Sequence, residues 1–137
     1  MSSLKINQGF TIIELLATLL IVTFSVGATM YGGVTIRVAT DNLNTKEKAF
    51  DELENYTEFW KAKIANGEWG GQNSWVSGEE FNLVNKKNGP IKAIMSKRGG
   101  VINGDYPYPL HSLETKIAWN DGSAQEMNLK VYQIEFK

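Results

Sequence analysis

The chain begins with a long apolar stretch and continues with a segment in which apolar and charged residues alternate. From Leu15 to Ile36, 22 residues pass without a charged side chain, and Glu14 and Arg37 stand at the two ends of that run. An apolar helix of about 20 residues crosses the hydrocarbon core of a bilayer, which is about 30 Å thick. The pattern predicts that residues 10–38 form a transmembrane helix half.

Residues 39–66 are predicted to continue this helix with a different character. No proline interrupts the chain before Asn66, and the next glycine, Gly67, suits a helix C-cap. Large apolar side chains recur at helical spacing, namely Leu43, Phe50, Leu53, Trp60 and Ile64. Charged side chains occupy the opposite face, namely Lys46, Glu47, Asp51, Glu54, Glu58 and Lys61. One nearly continuous helix from Phe10 to Asn66 is therefore expected, with an amphipathic second half.

Beyond Gly67 the chain has the pattern of short strands separated by glycine and proline turns. The predicted strands are Glu80–Val84, Ile91–Met95, Thr115–Trp119 and Glu126–Phe136. The segment Asn120-Asp121-Gly122-Ser123 predicts a hairpin turn, because Asp-Gly accepts the positive φ angles of such turns. The apolar alternation in the last strand changes phase after Val131, which predicts either a bulge or burial on both faces.

These elements predict an α+β fold in which one long N-terminal helix packs on a small antiparallel sheet. A β-rich head of residues 67–137 is too small to bury much apolar surface by itself. The amphipathic helix half, residues 39–66, is the expected cover for it, through Phe50, Leu53, Trp60 and Ile64. Residues 1–9 form a short polar segment ahead of the helix.

Composition narrows the function classes without selecting one. The 137 residues carry a net charge of −1, which gives no support for a nucleic-acid-binding protein. The chain has no cysteine, so disulfides, zinc thiolate sites and cysteine nucleophiles are excluded. A locally basic set of residues in the middle of the chain fits a solvated rim better than a DNA contact. Its members are Lys86, Lys87, Lys92, Lys97 and Arg98.

Candidate chemistry in the head is sparse. The single histidine, His111, falls on a predicted loop and is interpreted as a surface residue, and no motif for a metal, a phosphate or a nucleophile is present. We therefore expect no enzyme activity and no cofactor. Two turns carry oxygens suited to calcium but are more commonly ordinary turns. They are Asp105 with Tyr106, and Asn120 with Asp121. Trp69 and Trp75 are expected either in the core or in contacts between heads.

The apolar run admits three interpretations. A cleaved secretory signal has an apolar stretch of about 7–15 residues, and this run is about twice as long. A simple signal anchor that holds a soluble head is compatible with the length and composition. The third interpretation depends on the residues that precede and open the run, Gly9-Phe10-Thr11-Ile12-Ile13-Glu14-Leu15-Leu16.

These eight residues resemble the signature of the type IV pilin-like family, in its class III prepilin form. The resemblance covers about 30 residues and combines a short polar leader, Gly then Phe, and a lone acid inside an apolar run. It implies that a prepilin peptidase cuts between Gly9 and Phe10 and methylates the new amine of Phe10. It also implies an inner-membrane protein that an assembly platform moves into a periplasmic or extracellular filament of pilin or pseudopilin subunits.

Glu14 has a physical argument of its own. An ionised carboxylate within the bilayer is costly, so its position calls for a partner such as the amine of a cleaved Phe10 in the same or a neighbouring subunit. The alternative is that Glu14 lies at the membrane interface and extends into water.

A small head, the absence of a disulfide and a C-terminal hairpin through Trp119–Gly122 favour a minor pilin or a type II secretion pseudopilin over a major pilin. Three features depart from the family pattern. Asn7 and Gln8 stand where many leaders carry Lys or Arg, and the apolar run has Gly32-Gly33 in a region where many major pilins have proline. The disulfide of many major pilins is impossible here. The alternatives are a membrane-anchored binding protein that does not polymerise and a DNA-uptake pseudopilin.

Overall fold

The computed structural model describes residues 11–102 and 107–136. One helix, α1 (Ile12–Ala65), precedes four strands: β1 (Gln72–Lys86), β2 (Gly89–Ile102), β3 (Leu110–Asn120) and β4 (Ala124–Ile134). The strands form one antiparallel sheet in the order β1-β2-β3-β4. The predicted α+β fold is confirmed. The chain divides into two compact units, Met1–Asn42 and Leu43–Lys137, and we call the second the head unit.

Both ends of α1 have identifiable capping signals. The backbone N–H of Glu14 donates to the hydroxyl of Thr11, which caps the first turn at 3.3 Å. At the other end Gly67 adopts φ 68°, its N–H bonds to the carbonyl of Ile64, and the N–H of Glu68 bonds to the carbonyl of Lys63. This pair of bonds around a left-handed glycine is a Schellman motif. The predicted C-cap at Gly67 is therefore confirmed.

The core of the head unit lies between the second half of α1 and the inner face of the sheet. Leu53 and Ala49 are fully buried against Leu83, Ile117 and Trp119. The predicted covering residues were partly right: Leu53 and Ile64 are fully buried, whereas Phe50 is 43% exposed. Small residues take their place along the contact, namely Thr45, Ala49 and Thr57. Small side chains let the helix backbone lie close to a sheet, so the row at spacing four is the one that is buried.

Strands β1, β2 and β3 are longer than the sequence predicts, whereas β4 has the predicted length of 11 residues but begins and ends two residues earlier. The predicted irregularity in β4 is wrong: its register with β3 runs without a shift from Leu110↔Ile134 to Asn120↔Ala124. After Val131 the second apolar set lies on the exposed outer face, with Tyr132 57% and Ile134 41% accessible. The register shifts occur in β1 instead, at three places.

The predicted hairpin between β3 and β4 is present, but its turn differs. Asn120 pairs with Ala124, so three residues make the loop. Gly122 has φ 110°, and no described non-glycine residue has a positive φ. The expectation that Asp121 also adopts a positive φ is therefore wrong. The side-chain oxygen of Asn120 accepts a hydrogen bond from the N–H of Gly122 at 3.0 Å. This bond stabilises the turn, so that a second residue with a positive φ angle is not needed.

Candidate functional site

The first unit presents apolar side chains to solvent over its whole described length. Within Ile12–Val38, which we call the apolar segment, Leu15, Leu19 and Phe24 are 58%, 62% and 71% exposed. The most apolar 18-residue window of α1 has a mean hydropathy of 2.0, and none of it is buried. Among the described residues this helix is long and apolar enough to span a membrane. The core helix of a soluble protein would be mostly buried, whereas this window is exposed.

The serine and threonine hydroxyls of the apolar segment are satisfied by its own backbone. Each donates to the carbonyl of the residue four positions earlier, at 2.7–3.1 Å. The donors are Thr18, Thr23, Ser25, Thr29 and Thr35. A hydroxyl paired in this way needs no partner from the surroundings, which makes the segment compatible with a hydrocarbon environment.

Glu14 lies in the first turn of α1, three residues after Thr11. The spacing Thr-x-x-Glu is that of a capping box, a signal that the sequence analysis missed. The hydroxyl of Thr11 accepts the Glu14 N–H, and the Glu14 carbonyl accepts the hydroxyl of Thr18 at 2.8 Å. A carboxylate at a helix N-terminus also interacts favourably with the helix dipole. The helix end therefore gives Glu14 a local stabilising role.

The Glu14 carboxylate forms no ion pair with any residue that the structure describes. Gly9 and Phe10 lie outside the described residues. The predicted cleavage position and the predicted pairing of Glu14 with the Phe10 amine both remain predictions.

A shallow groove marks one side of the apolar segment just after Glu14. It has a volume of about 450 Å³ and is lined by Leu15, Thr18, Leu19, Val22 and Thr23. Further along, a Cβ at any of three glycines would meet nothing within 4 Å, namely Gly27, Gly32 and Gly33. Their lack of side chains leaves low points at which another helix can approach closely.

The interpretation of His111 as a surface loop residue is wrong. His111 is 1% exposed, lies on β3, and its Nε2 is 3.0 Å from a carboxylate oxygen of Glu135. The alternation of buried residues extends back from Trp119 through Ile117 to His111, and following it further would have placed the histidine on the inner face. One partnered histidine is not a catalytic constellation.

The basic residues of the middle strands do not form one patch. Lys92 pairs with Glu80 at 2.7 Å on the outer face, and Arg98 donates to Glu114 at 2.6 Å. The ammonium of Lys97 lies over the ring of Trp60 at 2.9 Å from its centroid. Burial, aided by the charge of Lys63, lowers the pKa of Lys97 from its usual value.

Trp69 and Trp75 have different environments. Trp69 is half-buried beside Trp60, with ring centroids 5.9 Å apart. Trp75 is exposed on the outer face, with Arg98 and Lys116 over its ring at 4.6 and 4.9 Å. The ring of Trp75 therefore contacts two cationic side chains on the outer face of the sheet.

No calcium site is evident in the part of the chain that the structure describes, where no group of three or more carboxylate, histidine or cysteine side chains converges. Asp105 and Tyr106 lie outside the described residues. The side chain of Asn120 is engaged in its own turn.

Comparison with known proteins adds no assignment. No protein-family model, no curated protein and no solved structure matches the chain.

Proposed function

We propose that the chain is a non-catalytic structural subunit of a type IV pilus-like filament, either a minor pilin or a type II secretion pseudopilin. The observation that carries the proposal is the apolar segment, which is exposed on all sides and holds a single acid, Glu14, in its first turn. The residues around that acid resemble the prepilin signature. An inner-membrane helix that later packs against copies or relatives needs this kind of surface.

In this proposal a prepilin peptidase cuts after Gly9 and methylates the amine of Phe10. The positive amine then pairs with the Glu14 carboxylate of a neighbouring subunit, since a carboxylate in low dielectric is strongly favoured by an opposite charge. The pairing sets the axial register as the assembly platform moves subunits out of the lipid. The head unit coats the filament and serves pilus function or protein secretion.

The second candidate is a membrane-anchored binding protein that does not polymerise. The position of Glu14 in the first turn of α1 favours it, because a carboxylate there interacts favourably with the helix dipole within one chain. Both candidates need the membrane helix, and they differ in whether Glu14 is required for assembly.

The experiment is a filament yield assay in cells that contain the assembly machinery. Glu14→Gln keeps the size and the capping capacity of the side chain but removes the charge. We expect assembled filament to fall by about tenfold or more, since an unpaired amine in the filament core is penalised. The matched control is Glu52→Gln, at an exposed position on the same helix. Filament at the normal level in Glu14→Gln would favour the simple anchor.

A further inference from the structure

The two edges of the sheet differ in how they are protected. Exposed strand edges invite pairing with other chains, and proteins commonly block them with irregularities. The β1 edge has three register shifts, whereas β4 pairs regularly with β3 along its whole length. Residues 124–134 contain neither glycine nor proline, and β4 has no described strand on its other side. The β4 edge is therefore open for a further strand.

The backbone of β4 shows which groups are available. The N–H of Glu135 bonds to the carbonyl of Pro109, which precedes β3, at 3.0 Å. Backbone groups of an antiparallel strand point alternately to one side and the other. Odd-numbered residues of β4 therefore face β3, and Glu126, Asn128 and Lys130 direct their N–H and C=O groups outward.

The side chains of β4 are suited to a particular partner. Glu126 and Lys130 lie on the outer face with side chains 67% and 54% exposed. Met127, Leu129 and Val131 lie on the inner face and are only half-buried at the margin of the core. An added strand must supply apolar residues on the inner side, a cation opposite Glu126 and an anion opposite Lys130.

We infer that the occupant of this edge is β4 of a second copy, paired antiparallel about Asn128. This register sets Glu126 opposite Lys130 of the other copy and Met127 opposite Leu129, each twice by symmetry. Moving the centre by one residue puts Glu126 opposite Asn128 or Tyr132, and both charges lose their opposite partner. The strand is thus complementary to itself in one register.

The existing ion pairs of the outer face continue across this seam. Arg98 donates to Glu114 at 2.6 Å, and Lys130 lies 3.2 Å from the same carboxylate. In the proposed pair, Lys130 of the first copy lies opposite Glu126 of the second copy. Within the second copy, Lys116 lies 3.6 Å from Glu126. Charges therefore alternate in sign from one head unit to the next, which strengthens the register preference.

The symmetry of the pair has a consequence for its use. Antiparallel pairing of identical strands places a two-fold axis perpendicular to the sheet, so the two head-unit helices run in opposite directions on one face. Subunits within one filament repeat in one direction. The pair is therefore a form of the subunit outside a single filament, and the inference does not depend on the proposed function.

A cysteine at the symmetry centre tests the register directly. The natural chain has no cysteine, and the Asn128 positions form a hydrogen-bonded pair about 5.5 Å apart between Cα atoms, which suits a disulfide. We expect the detergent-solubilised full chain with Asn128→Cys to oxidise rapidly to a dimer. Asn82→Cys, exposed on the β1 edge, is the matched control. Equal rates for the two variants would overturn the inference.

Charge reversal provides a second test that a folding defect cannot imitate. Lys130→Glu or Glu126→Lys alone places like charges opposite each other twice, and we expect the dimer dissociation constant to rise about tenfold. A mixture of the two variants restores both opposite-charge contacts in the heterodimer. Analytical ultracentrifugation should show tight pairing only in the mixture, and a mixture as weak as each variant alone would refute the register. Glu14→Gln should leave the pairing unchanged, which separates this result from the filament proposal.

Discussion

The hydroxyl oxygens of Thr57 on α1 and Thr115 on β3 lie 2.6 Å apart in the buried core of the head unit. Thr57 already donates its proton to the carbonyl of Leu53 at 2.7 Å, so the bond between the two hydroxyls has Thr115 as donor. This bond joins the helix to a central strand, and it fixes the position of the helix along the sheet where apolar packing alone is less specific.

Removing the two hydroxyls one at a time should cost more unfolding free energy, in sum, than removing both together. Thr57→Val leaves the Thr115 hydroxyl buried without its acceptor, and we expect a loss of about 1–3 kcal/mol in unfolding free energy. Thr57→Val with Thr115→Val leaves neither group unpaired, so the double variant should be destabilised by less than the sum of the two single variants. Denaturation of the solubilised full chain, followed by tryptophan fluorescence, provides the measurement. Strictly additive losses would show that the two hydroxyls are not coupled.

The sequence predicted the helix, the sheet and their contact, because a period of 3.6 residues and strand alternation are both strong signals. It identified the contact residues only in part: Leu53 and Ile64 are fully buried as predicted. Large apolar side chains were expected in the contact, yet Phe50 is exposed while Thr45, Ala49 and Thr57 are buried. The distance between a helix and a sheet is a tertiary property, and a hydropathy pattern ranks threonine and alanine too low to reveal it.

A pair of variants tests this assignment of the core. Leu53→Ala should lower the unfolding free energy by about 2–5 kcal/mol, because it opens a cavity at a fully buried site. Phe50→Ala, three residues away, should cost about 0.5 kcal/mol or less, since surface substitutions change little. The same denaturation assay measures both, and a larger loss in Phe50→Ala than in Leu53→Ala would reverse the assignment.

A side chain at the Gly67 C-cap should destabilise the end of α1. Its φ of 68° is strained for any residue with a Cβ, so Gly67→Ala should destabilise the head unit by about 1–2 kcal/mol. Gly70→Ala is the control, because a Cβ there meets nothing within 4 Å and its φ is not positive. Thermal unfolding midpoints compare the two. Equal midpoints would mean that the Schellman turn adjusts at no cost.

Lowering the pH should reduce the unfolding free energy of the head unit, in part through protonation of Glu114. The hydrogen bond from Arg98, opposed by burial and supported by Lys130, lowers the pKa of Glu114 from its ordinary value. A carboxyl with a lowered folded-state pKa stabilises the fold fully above its unfolded pKa, about 4.3, and loses that contribution as pH falls through the folded value. Unfolding free energy measured from pH 6 downward should therefore fall less steeply in Glu114→Gln than in the natural chain. An unchanged slope would exclude Glu114 as the source.

The candidate sites were predictable to different degrees. Glu14 was identified from the sequence because a lone acid in an apolar run is conspicuous, although its cap with Thr11 was overlooked. The regular β4 edge was not identified, because the phase change after Val131 suggested a bulge. The strand instead pairs with β3 without a register shift, and its second apolar set is exposed. Alternation shows that side chains change face, but it does not show which face has a covering layer.

The central claim is that the chain is a processed filament subunit, and the intact mass of the membrane-extracted protein tests it most directly. Cells with and without a prepilin peptidase would be compared. The account predicts a chain that begins at Phe10 and carries one added methyl group where the peptidase is present, and an unprocessed chain where it is absent. An unprocessed chain in both strains would contradict the account and favour a simple membrane anchor.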